Sequence, residues 1–192
     1  MVFVVNPPVG AFNEWLNQVL ASMGESSRVL LGAVLGGMMA IDFGGPFNKA
    51  AYVFGTASIA SGQFGIMAAV MAGGMVPPIG IALATLFFKN RFTKSEQQTV
   101  ATNFIMGLSF ITEGAIPFAA SDPLRIIPPC IVGSAVAGAL SMLFGCGSRA
   151  PHGGIFVIGI IDNPLLFLAA VAAGSVVAML GIVLLKKPLA AK

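Results

Sequence analysis

Charge is what this sequence lacks most. Its 192 residues carry ten Lys and Arg and seven Asp and Glu, 9% of the chain, against 57% hydrophobic side chains. An ordinary soluble domain carries roughly 25% charged residues. A globule of this length cannot build a polar skin from so few. A soluble enzyme, a disordered tail and a nucleic-acid binder are therefore poor readings. Two cysteines are too few for a disulfide scaffold, and with one histidine they make no metal-ligand set. No cofactor is expected.

What the chain has instead is apolar surface, with a mean hydropathy of +0.94. It also has 24 Gly and 12 Pro. It reads as an integral membrane protein whose helices are not all continuous. Gly and Pro are tolerated in membrane segments where neighbouring protein satisfies the freed backbone.

The uncharged gaps set out the organisation. A membrane helix needs about 20 apolar residues to cross a core of about 30 Å. Residues 126–148 and 163–185 are each long enough for a crossing. Residues 50–88 hold two segments, with a bend expected near Pro77-Pro78. Residues 29–41, 97–112 and 150–161 are too short, which predicts re-entrant or discontinuous elements; 97–118 and 150–161 are expected to dip in and return. Ser121-Asp122-Pro123 and Asp162-Asn163-Pro164 read as helix starts with an N-cap and a proline in the first turn. Gly32 and Gly36, then Ala170, Gly174 and Ala178, are small residues at four-residue spacing that let helices approach closely.

Basic residues set the orientation. Lys89, Arg91 and Lys94 share one loop, and Lys186, Lys187 and Lys192 end the chain; the positive-inside rule puts both on the cytoplasmic side. Residues 8–24 place Phe12, Trp15, Leu16, Val19, Leu20 and Met23 on one helical stripe, with Asn13, Glu14, Asn17 and Gln18 opposite. That pattern predicts a helix lying in the membrane interface. The fold expected is an all-α integral membrane transporter with broken helices and re-entrant hairpins. Residues 1–25 supply the end of a preceding helix and the interfacial helix, and residues 26–192 form the substrate-binding domain.

Four ionisable residues lie in apolar surroundings: Asp42, Lys49, Glu113 and His152. An ionised group at the bilayer centre costs at least about 2.5 kcal/mol, so each needs a partner, a wet cavity or a ligand. Asp42 and Lys49 flank Phe43-Gly44-Gly45-Pro46-Phe47-Asn48, where Gly-Gly-Pro argues against one unbroken helix. Two readings stand there: a structural ion pair or surface loop, and a broken helix with Asn48 and Lys49 near a substrate. Glu113 precedes Gly114 and Pro117, which places a carboxylate at the tip of a turn, where it can accept two hydroxyl hydrogen bonds. His152 sits in a Gly- and Pro-rich break that brings backbone close to a ligand. Gly145-Cys146-Gly147-Ser148-Arg149-Ala150 formally fits a dinucleotide fingerprint but follows a helix instead of a strand, so it is rejected.

Three marks stand in order: Asp42-Phe43-Gly44-Gly45-Pro46-Phe47-Asn48-Lys49-Ala50-Ala51-Tyr52, Ile111-Thr112-Glu113-Gly114-Ala115-Ile116-Pro117-Phe118, and Arg149-Ala150-Pro151-His152-Gly153-Gly154. Together they resemble the fructose-type IIC permease of the bacterial phosphoenolpyruvate-dependent sugar phosphotransferase system, and the likeness runs over nearly the whole chain. The resemblance implies a multi-pass permease of the bacterial cytoplasmic membrane, homodimeric in its full-length form. It implies a hexose substrate, with fructose first, phosphorylated by a phosphocysteine on a separate IIB domain. It implies substrate contacts from Glu113, His152, Thr112, Asn48, Lys49 and Gly153, with Glu113 or His152 assisting deprotonation of the attacking hydroxyl. The likeness also implies that an N-terminal dimerisation half is missing from this chain. Whether the chain counts as an enzyme stays open, because Cys130 and Cys146 lie in an apolar segment and neither reads as a phosphoryl carrier. An ion-coupled secondary sugar transporter using Asp42 or Glu113 as a proton site is the alternative, and a non-transporting membrane scaffold is a third class.

Overall fold

The structure, a computed structural model, describes Gln18 and residues 25–188. The stretch expected to hold the interfacial helix, residues 1–25, falls almost wholly outside the described residues. The described chain is all-α apart from one two-residue ladder. Its helices are α1 (Glu25–Met38), α2 (Pro46–Ala60), α3 (Phe64–Phe87), α4 (Lys94–Gln98), α5 (Val100–Leu108), α6 (Ile116–Ser121), α7 (Pro123–Leu143) and α8 (Pro164–Leu185). Strands β1 (Gly147–Ser148) and β2 (Ile161–Asp162) pair antiparallel, with Gly147 opposite Asp162 and Ser148 opposite Ile161.

Among the described residues, three helices are long and apolar enough to cross a membrane: α3, α7 and α8. At 24 residues α3 spans about 36 Å. It is apolar all round and buried along nearly its whole length, as a helix enclosed by others must be. The other two turn one face outward; Val132, Leu143, Leu165, Val176 and Leu184 are exposed there. Exposed apolar surface of that extent suits lipid or partner helices better than water. The second and third crossings start and stop close to where the charges predicted, although α7 ends at Leu143, where Gly145 takes a φ of +63°.

Residues 50–88 do not divide into two segments at Pro77. The break between α2 and α3 lies instead at residues 61–63, and α3 runs unbroken through Pro77-Pro78. A proline inside a helix removes the hydrogen bond to the carbonyl four residues earlier. Here those carbonyls belong to Gly73 and Gly74, and both find donors elsewhere. Ser134 Oγ of α7 donates to Gly73 O at 2.8 Å, and Thr112 Oγ1 donates to Gly74 O at 3.0 Å. Hydroxyls distant in sequence thus keep the helix whole.

Helix packing relies on small residues. A Cβ at Gly73 would stand 2.5 Å from Gly36 Cα, so α1 and α3 cross with their backbones in contact. Gly32 and Gly36 also meet α7 at Gly138, and Gly174 meets Gly133 where α7 and α8 cross. Both four-residue spacings read from the sequence serve these crossings.

Two short hairpins enter this scaffold from opposite ends. At one end lie the start of α3, the end of α7 and the start of α1, since Gly65 and Gly32 both approach Met142. From there α1 runs inward to Gly36 beside Gly73, and α2 returns. At the other end lie the Lys89–Arg91 turn and the end of α8. Arg91 Nη1 donates there to Val183 O at 2.5 Å and to Lys186 O, capping carbonyls that the helix end leaves free. From that end α5 runs inward until Gly107 abuts Pro78 and Ile79, and α6 leads back to α7. The feet of this second hairpin are clamped by Glu96. Its carboxylate accepts from Thr93 N and Ser121 Oγ and lies 3.6 Å from Lys186 Nζ.

The third short segment, residues 150–161, is a loop with a 3-10 turn at Gly154–Ile160, its feet joined by β1 and β2. It reaches from the α7 end to the tip after α5, where Gly154 packs on Leu108 O and Phe110 N. Both proline-marked helix starts lie where expected, but neither uses a side-chain cap. The Asp122 carboxylate pairs with Arg125 at 3.2 Å, and Asn163 Nδ2 donates to Phe144 O at 3.1 Å.

Candidate functional site

The site lies where the three short elements meet, beside the middle of α3. The first is the turn between α1 and α2. Asp42 accepts from Phe47 N at 2.8 Å and from Asn48 N at 3.1 Å, so its carboxylate caps the first turn of α2. It makes no ion pair with Lys49. The Lys49 ammonium donates to Gly44 O instead. Asn48, buried, donates from Nδ2 to Met39 O at 2.8 Å. The turn is then fixed by its own polar groups, with Asn48, Lys49 and Tyr52 on the inner turns of α2.

The second element is the turn between α5 and α6. Ile111 N donates to Met106 O at 2.8 Å, and Phe110 takes a φ of +64°, a conformation that side chains rarely adopt. Thr112–Ala115 then forms a 3-10 turn that carries Glu113. The two turns touch: a Cβ at Gly44 would stand 2.8 Å from Glu113 Oε1 and 3.0 Å from its Cγ. Gly44 also has a φ of +115°. Only glycine meets both conditions at that position. The third element brings His152, whose ring centroid lies 5.0 Å from that of Phe110 and 6.4 Å from that of Tyr52.

Together they enclose a cavity of about 280 Å³, lined by Met39, Asn48, Lys49, Tyr52, Phe110, Thr112, Glu113 and His152. Five of the six residues singled out in the sequence thus share one cavity. Gly153 does not line it. It takes a φ of +125° beside Val157 and turns the chain just after His152. Tyr52 and Phe110 were not among the expected contacts. Tyr52, the one tyrosine of the chain, falls four residues after Asn48 and so on the same helix face, a spacing that could have marked it. Nothing in the sequence marked Phe110.

Among the described residues, the Glu113 carboxylate, the His152 ring and the Tyr52 hydroxyl make no hydrogen bond to the protein. The cavity therefore offers an acceptor pair, an imidazole and a phenol to a ligand, between two aromatic faces and beside an ammonium. That is a set for a small neutral molecule rich in hydroxyls. Among the described residues no group of three His, Cys, Asp or Glu side chains could hold a metal ion.

The chain is 53% identical over 192 residues to the PTS system fructose-specific EIIABC component of Bacillus subtilis (strain 168), covering all of this chain and 30% of that protein. It is 52% identical over 192 residues to the fructose permease IIC component of Bacillus amyloliquefaciens, covering 63% of it. Identity to the fructose-specific EIIB'BC component of Escherichia coli (strain K12) is 48% over 191 residues, 98% of this chain and 34% of that protein. The chain is thus about half identical, over nearly all its length, to proteins named as fructose-specific IIC-containing components of the phosphotransferase system. It spans less than two thirds of the length of each of these relatives. No family model and no solved structure matches it. The ion-coupled alternative finds no support among these IIC relatives, and Asp42, one of its two proposed proton sites, is committed to capping α2.

Proposed function

We propose that the chain is the sugar-holding part of a phosphotransferase-system permease, taking a hexose, with fructose the first candidate. The observation that carries this is the meeting of Glu113 and His152 at one cavity, both without hydrogen-bond partners among the described residues, in a chain about half identical to fructose permease components. A volume of about 280 Å³ lies near the lower end of small-ligand sites, which suits a monosaccharide. Glu113 would bind a pair of hydroxyls, while His152, Lys49, Asn48 and Tyr52 orient the rest and the Phe110 face excludes water.

The phosphoryl donor would be a phosphocysteine on a IIB domain; relatives named EIIB'BC join the two parts in one chain. In the transfer, the sugar hydroxyl oxygen bonds to phosphorus as the S–P bond breaks. The thiolate stays on the IIB domain, and the hydroxyl proton passes to Glu113 or His152. The chain would sit in the bacterial cytoplasmic membrane as part of a homodimer. The end bearing Lys89–Lys94 and the C-terminus would face the cytoplasm.

Membrane vesicles holding the full-length protein should take up hexose only when phosphoenolpyruvate and the soluble phosphocarriers are supplied, and should release hexose phosphate. Glu113→Gln and His152→Ala should each weaken hexose binding about tenfold or more, roughly 1.4 kcal/mol. Uptake abolished by a protonophore, with no sugar phosphate formed, would overturn the proposal.

A further inference from the structure

We infer that Thr112 is a positioning residue, whose bond to the carbonyl freed by Pro78 sets where the Glu113 carboxylate stands. This rests on the reading of Glu113 as a hexose ligand. It begins from α3, where Pro78 has no N–H to give Gly74 O. Gly74 is buried, so that carbonyl needs a donor in the protein. It finds the Thr112 hydroxyl at 3.0 Å, on a side chain only 3% exposed.

A threonine hydroxyl has one proton. With that proton committed to Gly74 O, Thr112 can only accept from a ligand. Its larger effect passes through its neighbour. The turn at 109–115 is held from within by bonds to α5, from Ser109 N to Ile105 O, Phe110 N to Gly107 O and Ile111 N to Met106 O. These shape the turn but do not fix it against the scaffold. Against α3, two contacts with Gly74 do that: the Phe110 ring packs on it, and the Thr112 hydroxyl binds its carbonyl; on the other side Gly154 packs on Leu108 O and Phe110 N. Glu113 follows directly, and its carboxylate has no bond of its own to hold it against Gly44. Where the turn docks is then where the carboxylate stands.

The same proline pair supplies a control. Ser134 Oγ makes the equivalent bond to Gly73 O, but it joins α7 to α3 and does not line the cavity. A role limited to satisfying a buried carbonyl predicts equal consequences for the two hydroxyls. A positioning role predicts that they differ.

The test uses the full chain in detergent with Thr112→Val, Thr112→Ser and Ser134→Ala. Melting temperature, amide hydrogen exchange over residues 109–115 and fructose affinity are read for each. Thr112→Val and Ser134→Ala should both lower the melting temperature. Only Thr112→Val should speed exchange at 109–115 and weaken fructose binding about tenfold or more. Thr112→Ser should restore both to within about twofold. Fructose binding by Thr112→Val no weaker than by Ser134→Ala overturns the inference. If the unaltered chain binds no hexose, the functional reading falls, and exchange decides alone: unchanged exchange at 109–115 in Thr112→Val overturns the positioning role.

Discussion

Glu113, His152 and Tyr52 share an uncommon condition: polar groups at a cavity wall with no hydrogen-bond partner among the described residues. Such groups keep their full capacity for a ligand, whereas Asn48 has already given one of its two Nδ2 protons to Met39. Tyr52→Phe removes one hydroxyl and no packing. It should weaken hexose binding about two- to tenfold, as loss of one neutral hydrogen bond does, and leave the melting temperature unchanged. Titration calorimetry on the detergent-solubilised protein reads the first effect and thermal melting the second. Glu113 and His152 were legible in the sequence because charge is scarce there and Gly and Pro surround both. Tyr52 was not, because a tyrosine on an apolar helix reads equally well as core. Asp42 and Lys49 could be flagged but not resolved: their spacing allowed an ion pair, and the backbone of the turn claimed both charges instead.

Among the elements, α3 depends on close contact more than on propensity. Gly73 carries the crossing with α1, and α1 leads directly into the turn that bears Asn48 and Lys49. Gly73→Ala should lower stability by about 1–3 kcal/mol, since the added methyl meets the Gly36 backbone, which has no flexible end to move aside. Gly159→Ala, where nothing lies within 4 Å, should not change the melting temperature; equal melting of the two variants would defeat the crossing argument. The uncharged gaps of the sequence located α7 and α8, since charge marks where helices leave an apolar phase. They could not locate the break before α3. Proline is read as a break from local sequence, while the hydroxyls that cancel its effect arrive from elsewhere in the fold. The dipping loop at 150–161 was legible as too short to cross, but its β1–β2 clasp had no signal beyond two short runs.

Over the whole molecule, the two hairpins and the loop make the cavity a meeting point of elements that start at opposite ends. The α1–α2 hairpin and the His152 loop come from one end, and the Glu113 hairpin comes from the other. If the basic end is cytoplasmic, Asn90→Cys should react with an impermeant maleimide only in inside-out vesicles. Ala60→Cys, at the opposite end, should react only in right-side-out ones; the reverse pattern would invert the proposed orientation. Background from the native thiols should be low. Cys130 and Cys146 are both buried, and burial pushes the Cys146 thiol above its ordinary value, which keeps it protonated.

The proline pair of α3 has a consequence for biogenesis. The ribosome makes α3 well before the groups that complete it: Thr112 comes 38 residues after Gly74, and Ser134 comes 61 after Gly73. For that interval a newly inserted α3 carries two carbonyls that lipid cannot satisfy. Such a helix is expected to stay near water or an insertion factor until Thr112 and α7 emerge. The order of synthesis then favours assembly of the site-bearing hairpin onto α3 before the outer helices can move off into the bilayer.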